Sequence, residues 1–479
     1  MWNSILIADR SEIAIRIVRS ARELGIRTIA VYEEADRNSR HINTADEAIC
    51  IGPGPERDYR DGDRIIQAAL SSGAEAIHPG YGPLSQDPSF IQLCENEGLA
   101  FIGPSAATSY NASDRLICRQ LMQHAGIPVI PGTDALPPNR RGERDALRFV
   151  ETHGYPVFLK KAAKDDTAPL IAHSSRDLMS GLDRLRQSSS TSGKGPRIYL
   201  EEGIPDCRHI EVQLLADRRG NAVHLGTRDC SLRLGGQRML AAGPAKLPSH
   251  LEERLCRDAV AAAQAVGSVN TASAGFLVDR EQNHYFLGLT TRIQEGHTVT
   301  EALTGLDLVR EQIRLAAGYS LPFAQQTIQP RGHAIELPIR AQDPGNNFRS
   351  SRGTVEIYQS PGGHGIRLDG AIYQGYERPP FYDPLLVKLT VYGYSWSEAV
   401  DRLRRGLDGF LLQGLPSTFP FYRELVKDPD FREKRFHTNF LEERPHLLQH
   451  PEETTDLYRF ARLLAEINAY GYNPYASLD

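Results

Sequence analysis

At 479 residues the chain is too long for one ordinary hydrophobic core, so two or three domains are expected. Its 40% hydrophobic and 24% charged residues describe a soluble globular protein. With 60 acidic against 55 basic residues, a net charge of −5 and scattered arginine pairs, the composition argues against a nucleic-acid partner.

The first hundred residues alternate short apolar runs with amphipathic ones. Ser4–Ala8, Thr28–Tyr32, Ala48–Ile51, Ala76–His78 and Phe101–Ile102 read as strands. Glu12–Leu24, with Ile13, Ile17, Ala21 and Leu24 at helical spacing, reads as a helix. That alternation predicts a doubly wound parallel sheet. Ser113–Ala125 reads as a further helix leading to Ile127–Ile130 and a Pro-Gly turn, and Leu136–Arg144, rich in Pro, Arg and Gly, as a boundary. A small segment with a Ser-rich loop at Ser188–Ser192 follows.

From Arg208 the pattern becomes strand-rich, with runs at Ile210–Leu215, Ala222–Gly226, Ala274–Val278, Tyr285–Leu289, Ala334–Ile339 and Leu385–Tyr392. Helices are expected at Leu251–Val266, Leu306–Ala317 and Ser397–Gly409, and a Tyr-rich helical tail after Arg444. Six widely spaced cysteines without a C-x-x-C pair read as reduced and structural. A strand beginning almost at once leaves no room for a signal peptide, and no apolar run approaches the ~18–20 residues of a membrane span. A cytoplasmic protein is expected.

Several motifs together resemble the biotin carboxylases. They are Ile7-Ala8-Asp9-Arg10-Ser11-Glu12, His78-Pro79-Gly80-Tyr81-Gly82, Phe101-Ile102-Gly103-Pro104, Arg208-His209-Ile210-Glu211-Val212-Gln213, Arg228-Asp229-Cys230-Ser231, Thr291-Arg292-Ile293-Gln294 and Tyr382-Asp383-Pro384. The resemblance spans roughly residues 1 to 444. It implies an α/β ATP-grasp fold: an N-terminal doubly wound domain (1–113), a linker and small lid domain (114–204), and a large mixed-sheet region (205–444), with the tail at 445–479. Members of that family carboxylate biotin with ATP, bicarbonate and magnesium.

The same resemblance implies positions at which this chain departs from the family. The stretch Lys161–Pro169, where a glycine-rich loop would cradle triphosphate, contains no glycine. Of the two carboxylates implied for Mg²⁺, one falls at Phe276 and the other at Gly288, and Thr290 replaces an asparagine. The general base falls at Gly296, with Glu295 one residue early. The enolate-stabilising arginine falls at Pro338. Arg238 stands in place of a lysine.

Arg292 and Gln294 match family site positions, and Lys160, Glu201, Glu202, His209 and His437 match or border the nucleotide or bicarbonate region. Arg16, Arg19, Glu23 and Arg367 match interface positions, implying a homodimer or a mixed dimer.

These departures lead to an expectation of a non-catalytic homologue with no metal site and no cofactor. It is read as a structural or regulatory subunit of a biotin-dependent acyl-CoA carboxylase-type complex. Its expected partners are an active biotin carboxylase paralogue, a carboxyltransferase subunit or a biotin carrier protein. No biotinyl-lysine segment is present, so no covalent biotin is expected. One alternative is an ATP- and Mg²⁺-using biotin carboxylase, or a related ATP-grasp ligase, with a rearranged site. The other is a nucleotide- or metabolite-sensing module.

Overall fold

The computed structural model describes residues 1–55, 57–163, 169–187 and 195–448. The sequence-predicted Ser-rich loop, most of the glycine-free loop and the Tyr-rich tail lie outside the described residues.

Five parallel strands form the N-terminal sheet, in the spatial order Glu47–Gly52, Arg27–Glu33, Ser4–Ile7, Ala76–His78 and Ala100–Phe101. Buried on both faces, as parallel sheets are, its central strands are nearly continuous apolar runs. The helix Ser11–Glu23 lays Ile13, Ile17, Val18 and Ala21 against one face, in a cluster that also contains Leu215, Val223 and Ile313 of the larger unit. The parallel sheet predicted from the alternation is present.

A three-stranded antiparallel sheet, Leu170–Ala172, Val157–Lys161 and Ile198–Glu202, builds the small unit. The helix expected at Ser113–Ala125 is present at Arg115–His124, where the Asp114 side chain accepts the Leu116 and Ile117 N–H groups and separates it from the preceding helix Ala106–Ser113. In the segment that follows, Val129 makes an isolated bridge to Phe286. The expected boundary at Leu136–Arg144 already contains a helix start, since Asn139 caps Arg140–His153.

Eight antiparallel strands form the large sheet. Their order is His284–Thr290, Asn270–Val278, Arg208–Ala216, Ala222–Asp229, Ala241–Gly243, His333–Arg340, Leu385–Gly393 and Ile366–Gly370. Strand side chains alternate between faces, and that alternation positions the site. Ile210, Val212, Leu214, Ala272, Ala274, Phe276 and Val278 pack under the helix Ser249–Ala265. The intervening His209, Glu211, Gln213, Ser273 and Gly275 point to the other face, Ser273 opposite Gln213 and Gly275 opposite Glu211.

Phe276 is therefore a core residue and not a site position. It is fully buried, edge-on to Phe286 at 5.9 Å and to His284 at 5.8 Å. The one-residue difference matters because a strand reverses the direction of its side chains at every residue. The site-facing position is Gly275. Phe276→Ala is expected to destabilise the protein by about 3–5 kcal/mol, measured by urea unfolding. A stability loss below about 1 kcal/mol would show that Phe276 is not packed as described.

Candidate functional site

The polar face of the large sheet is organised by Arg228. Its guanidinium is fully buried and donates to Gln213 (2.7 Å), Thr300 (2.8 Å), Glu211 (3.0 Å), Ser273 (3.0 Å) and the Gln294 Oε1 (3.2 Å). Burial pushes the Glu211 carboxyl up, but Arg228, with His209 and Arg238 nearby, more than offsets it and holds the group at about 2. His209 is buried beside Glu211, and burial lowers its imidazole to about 4, so it is neutral at pH 7.

A second group lies where the loop 291–296 meets the strand His333–Arg340. Glu336, Pro338 and Arg340 share one face of that strand, while Ile335, Leu337 and Ile339 enter the core. Arg340 donates to Glu295 at 2.8 Å; Arg238 donates to Glu336 at 3.0 Å and to Glu295 at 3.3 Å. Lys388, the register partner of Pro338, bridges to Glu12 at 3.2 Å and donates to the Glu295 carbonyl at 3.5 Å. Burial raises the Glu295 carboxyl, but Arg340, Arg238 and Lys388 outweigh it and hold the group at about 2.

Glu295 is thus not an idle surface carboxylate. It is anchored by two nearly buried guanidiniums while its own side chain keeps 24% exposure. A Cβ at Gly296 would fall 2.5 Å from the Arg238 Nη1, so a side chain there requires the end of Arg238 to move. Arg238 occupies the space that a side chain at 296 needs.

Arg292 packs 6.0 Å from the centre of the Tyr81 ring and donates to the Ile293 carbonyl at 2.9 Å, and among the described residues it makes no ion pair. Asp9 lies nearby, but burial raises its carboxyl to about 7, so its charge is only partly present at neutral pH.

The remaining sequence-predicted residues are divided among several places. Lys160 forms an ion pair with Glu201 across the small sheet, and Glu202 meets His153 at 3.1 Å. His437 meets Glu443 at 3.3 Å. With Asp206, these form a group whose ligand-type atoms lie within 4.8 Å of one another, but Asp206 is already held by Arg280 and Asn439. Arg16 is paired within the chain to Glu301 and Asp307, and Arg367 to Glu301 and Asp369, whereas Arg19 and Glu23 are exposed.

Gly275 and Gly288 face each other across paired strands, and space is open where a Cβ at 288 would project. Two glycines offer no side-chain oxygen, so these positions do not fit a protein-held Mg²⁺. Arg340 and Lys388 went unrecognised in the sequence. The signal for Arg340 was its place two residues beyond Pro338, on the same strand face.

The Glu295–Arg340 pair has a testable pH signature. The folded-state pKa of Glu295 lies below the usual carboxylate value, so the pair's stabilisation is present above about pH 4.5 and is lost as pH falls towards 2. Arg340→Met is expected to cost about 3–5 kcal/mol at pH 7, and distinctly less at pH 3, by chemical denaturation. An equal loss at both pH values would show that the carboxylate is not held down by this arginine.

The comparisons agree along the chain. The family model for the biotin carboxylase N-terminal domain matches residues 1–108, the carbamoyl-phosphate synthase L chain ATP-binding domain 114–324, and the biotin carboxylase C-terminal domain 336–443. Biotin carboxylase 1 of Bacillus subtilis is 40% identical over 446 residues, 92% of this chain and 98% of that protein.

The biotin carboxylase domain dimer of Hydrogenobacter thermophilus 2-oxoglutarate carboxylase, solved with MgADP, ADP and bicarbonate, superposes with a TM-score of 0.90. The two are 39% identical over 94% of this chain and 100% of that one. Campylobacter jejuni biotin carboxylase in complex with β-γ-ATP gives 0.88 at 36% identity, covering 93% and 99%.

These findings correct two expectations. Near-complete coverage at 40% identity by a biotin carboxylase overturns the reading of a non-catalytic, structural role and favours the enzyme alternative. Relatives holding nucleotide, magnesium and bicarbonate overturn the expectation that no cofactor is used. The fold, the matched domains and the motifs place this chain in the biotin carboxylase family, with the ATP-grasp architecture.

Proposed function

We propose that the chain is an ATP-dependent biotin carboxylase with a rearranged site, serving as the carboxylase component of a biotin-dependent complex. The observation that carries this reading is the charge balance of the polar face. Arg228 is matched by Glu211, Arg238 by Glu336 and Arg340 by Glu295, while Lys388 bridges to Glu12, whose carboxyl burial raises to about 8. Arg292 is left without a carboxylate partner among the described residues. A half-buried guanidinium with no carboxylate in contact favours an incoming anion, and bicarbonate is the anion this family uses.

In this reading bicarbonate lies against Arg292, with Arg238 as its second cation and Gln294, oriented by Arg228, beside it. Glu295 is the carboxylate placed to accept the bicarbonate proton. Its low pKa makes it ionised but weakly basic while Arg238 and Arg340 face it alone. An anion sharing Arg238 removes part of that positive field, which raises the basicity of Glu295 when substrate is present.

The arginine implied at 338 has a counterpart at Arg340, two residues along the same strand face, just as the carboxylate implied at 296 has one at Glu295. ATP would enter beside Lys160 and Glu201, bringing any Mg²⁺ on its own phosphates. Arg19 and Glu23 are available to a second copy or a paralogous carboxylase, and a biotinylated carrier domain supplies the substrate.

The test is bicarbonate-dependent ATP hydrolysis by the purified chain with free biotin and Mg²⁺. Turnover above background is expected, with Glu295→Gln lowering it by about 10²–10⁴-fold. Folded protein without bicarbonate-dependent turnover, beside an active relative as control, would overturn the reading.

A further inference from the structure

We propose that a cavity beside Trp396, lined by none of the residues of the sheet face described above, binds a small organic carboxylate with a flat apolar body. The cavity encloses about 440 Å³ between the strand start at His333, the start of the helix Trp396–Asp408 and the segment 432–434. The indole is fixed: its Nε1 donates to the Arg432 carbonyl at 2.9 Å, and Phe431 and Phe436 pack on it at 5.9 and 6.2 Å. A rigid aromatic face at a cavity wall suits a planar or apolar ligand body.

The polar lining is cationic. Lys434 is 7% exposed, with its ammonium 4.6 Å from the centre of the Trp396 ring, donating to the Pro244 carbonyl at 2.5 Å. Lys246 donates to the Glu433 carbonyl at 3.1 Å. Among the described residues neither ammonium touches a carboxylate; the exposed Lys246 is open to water, whereas the buried Lys434 has one neutral acceptor for its three donors. Arg432 is held at 3.4 Å by Asp401, and Glu433 is the one carboxylate residue lining the cavity.

The His333 ring stands edge-on to Trp396 at 6.3 Å, and its Nδ1 is buried without a partner. Burial, only partly offset by Asp229, lowers Lys434 to about 8, and burial depresses His333 as well.

Lys434 has φ +56°, the left-handed position that ends the short helix Pro429–Arg432, with its N–H donating to the Phe431 carbonyl and the Arg435 N–H to the Asp430 carbonyl. That helix end fixes the backbone from which the Lys434 side chain reaches the cavity wall. One carboxylate accepting from Lys434 and Lys246 supplies the missing counter-charge, and its apolar body then lies on the indole.

The experiment uses the full chain carrying Trp2→Phe, which leaves Trp396 as the sole tryptophan. Its fluorescence is titrated with benzoate, with the neutral isostere benzamide, and with inorganic phosphate. Saturable quenching by benzoate is expected, with benzamide and phosphate each binding at least about tenfold more weakly. Lys246→Ala and Lys434→Gly, the latter compatible with positive φ, should each weaken benzoate about tenfold or more. Circular dichroism verifies that the variants fold. Linear quenching, equal binding of benzamide or phosphate, or unchanged affinity in both folded variants would overturn the proposal.

Discussion

The hydrogen bonds of Arg228 are the constraint on which the polar face of the large sheet depends. One fully buried guanidinium joins the strand Arg208–Ala216 through Glu211 and Gln213, the strand Asn270–Val278 through Ser273, the loop 291–296 through Gln294, and the helix His297–Thr304 through Thr300. A charge taken out of water is tolerated only when its donors are satisfied, so each acceptor is under pressure to stay in place. Gln294 is thereby oriented from behind, and the loop carrying Arg292 and Glu295 is tied to the sheet at its middle.

That anchoring explains how neighbouring positions change without collapse of the face. Arg238 extends over Gly296, and its charge is shared between Glu336 and Glu295. Arg340 closes the group from the far side and also donates to the Arg238 carbonyl at 3.2 Å. A guanidinium has five donors in a fixed fork, so it can bind two carboxylates and a carbonyl where an ammonium holds a single point. An arginine at 238, a glycine at 296 and a carboxylate at 295 are mutually consistent; restoring only one family residue would produce a clash or an unpaired charge.

Most of the fold was legible because strand and helix periods are strong signals over long segments. The parallel N-terminal sheet, the helix over Ser249–Ala265 and the strand pair at 333–340 and 385–393 all follow from apolar spacing. The site was less legible, because it depends on which of two adjacent residues faces which way. Phe276 and Gly275 differ by one position, and only the pairing of Gly275 with Glu211 and Gly288 shows that the glycine faces the site. The register shift between Gly275 and Phe276 in the pairing with His284–Thr290 adds to the difficulty, since a bulge changes the count along one strand but not its partner. Arg340 was missed for the related reason that a motif read residue by residue hides a replacement two positions away on the same face.

The charge ledger then gives the face its chemical character. Three buried or nearly buried arginines each have a carboxylate in contact, so those pairs fix geometry and leave little net field, whereas Lys388 has Glu12, whose carboxyl burial raises to about 8. Arg292 is different: no carboxylate among the described residues contacts it. Of the acids that act on it from further off, Glu295 is held by Arg340 and Arg238, while Asp9 is raised to about 7 by burial and accepts backbone N–H groups from Arg10 and Tyr81. In the proposed reaction, bicarbonate at Arg292 would add an anion where no carboxylate makes contact, while Glu295 already sits within the same arginine cluster. A developing dianion there would draw on Arg238 as well as Arg292, and charge taken from Arg238 would make Glu295 a better proton acceptor. Binding and basicity would then be coupled through one shared guanidinium, which a lysine at 238, with its single charged nitrogen, would support less well.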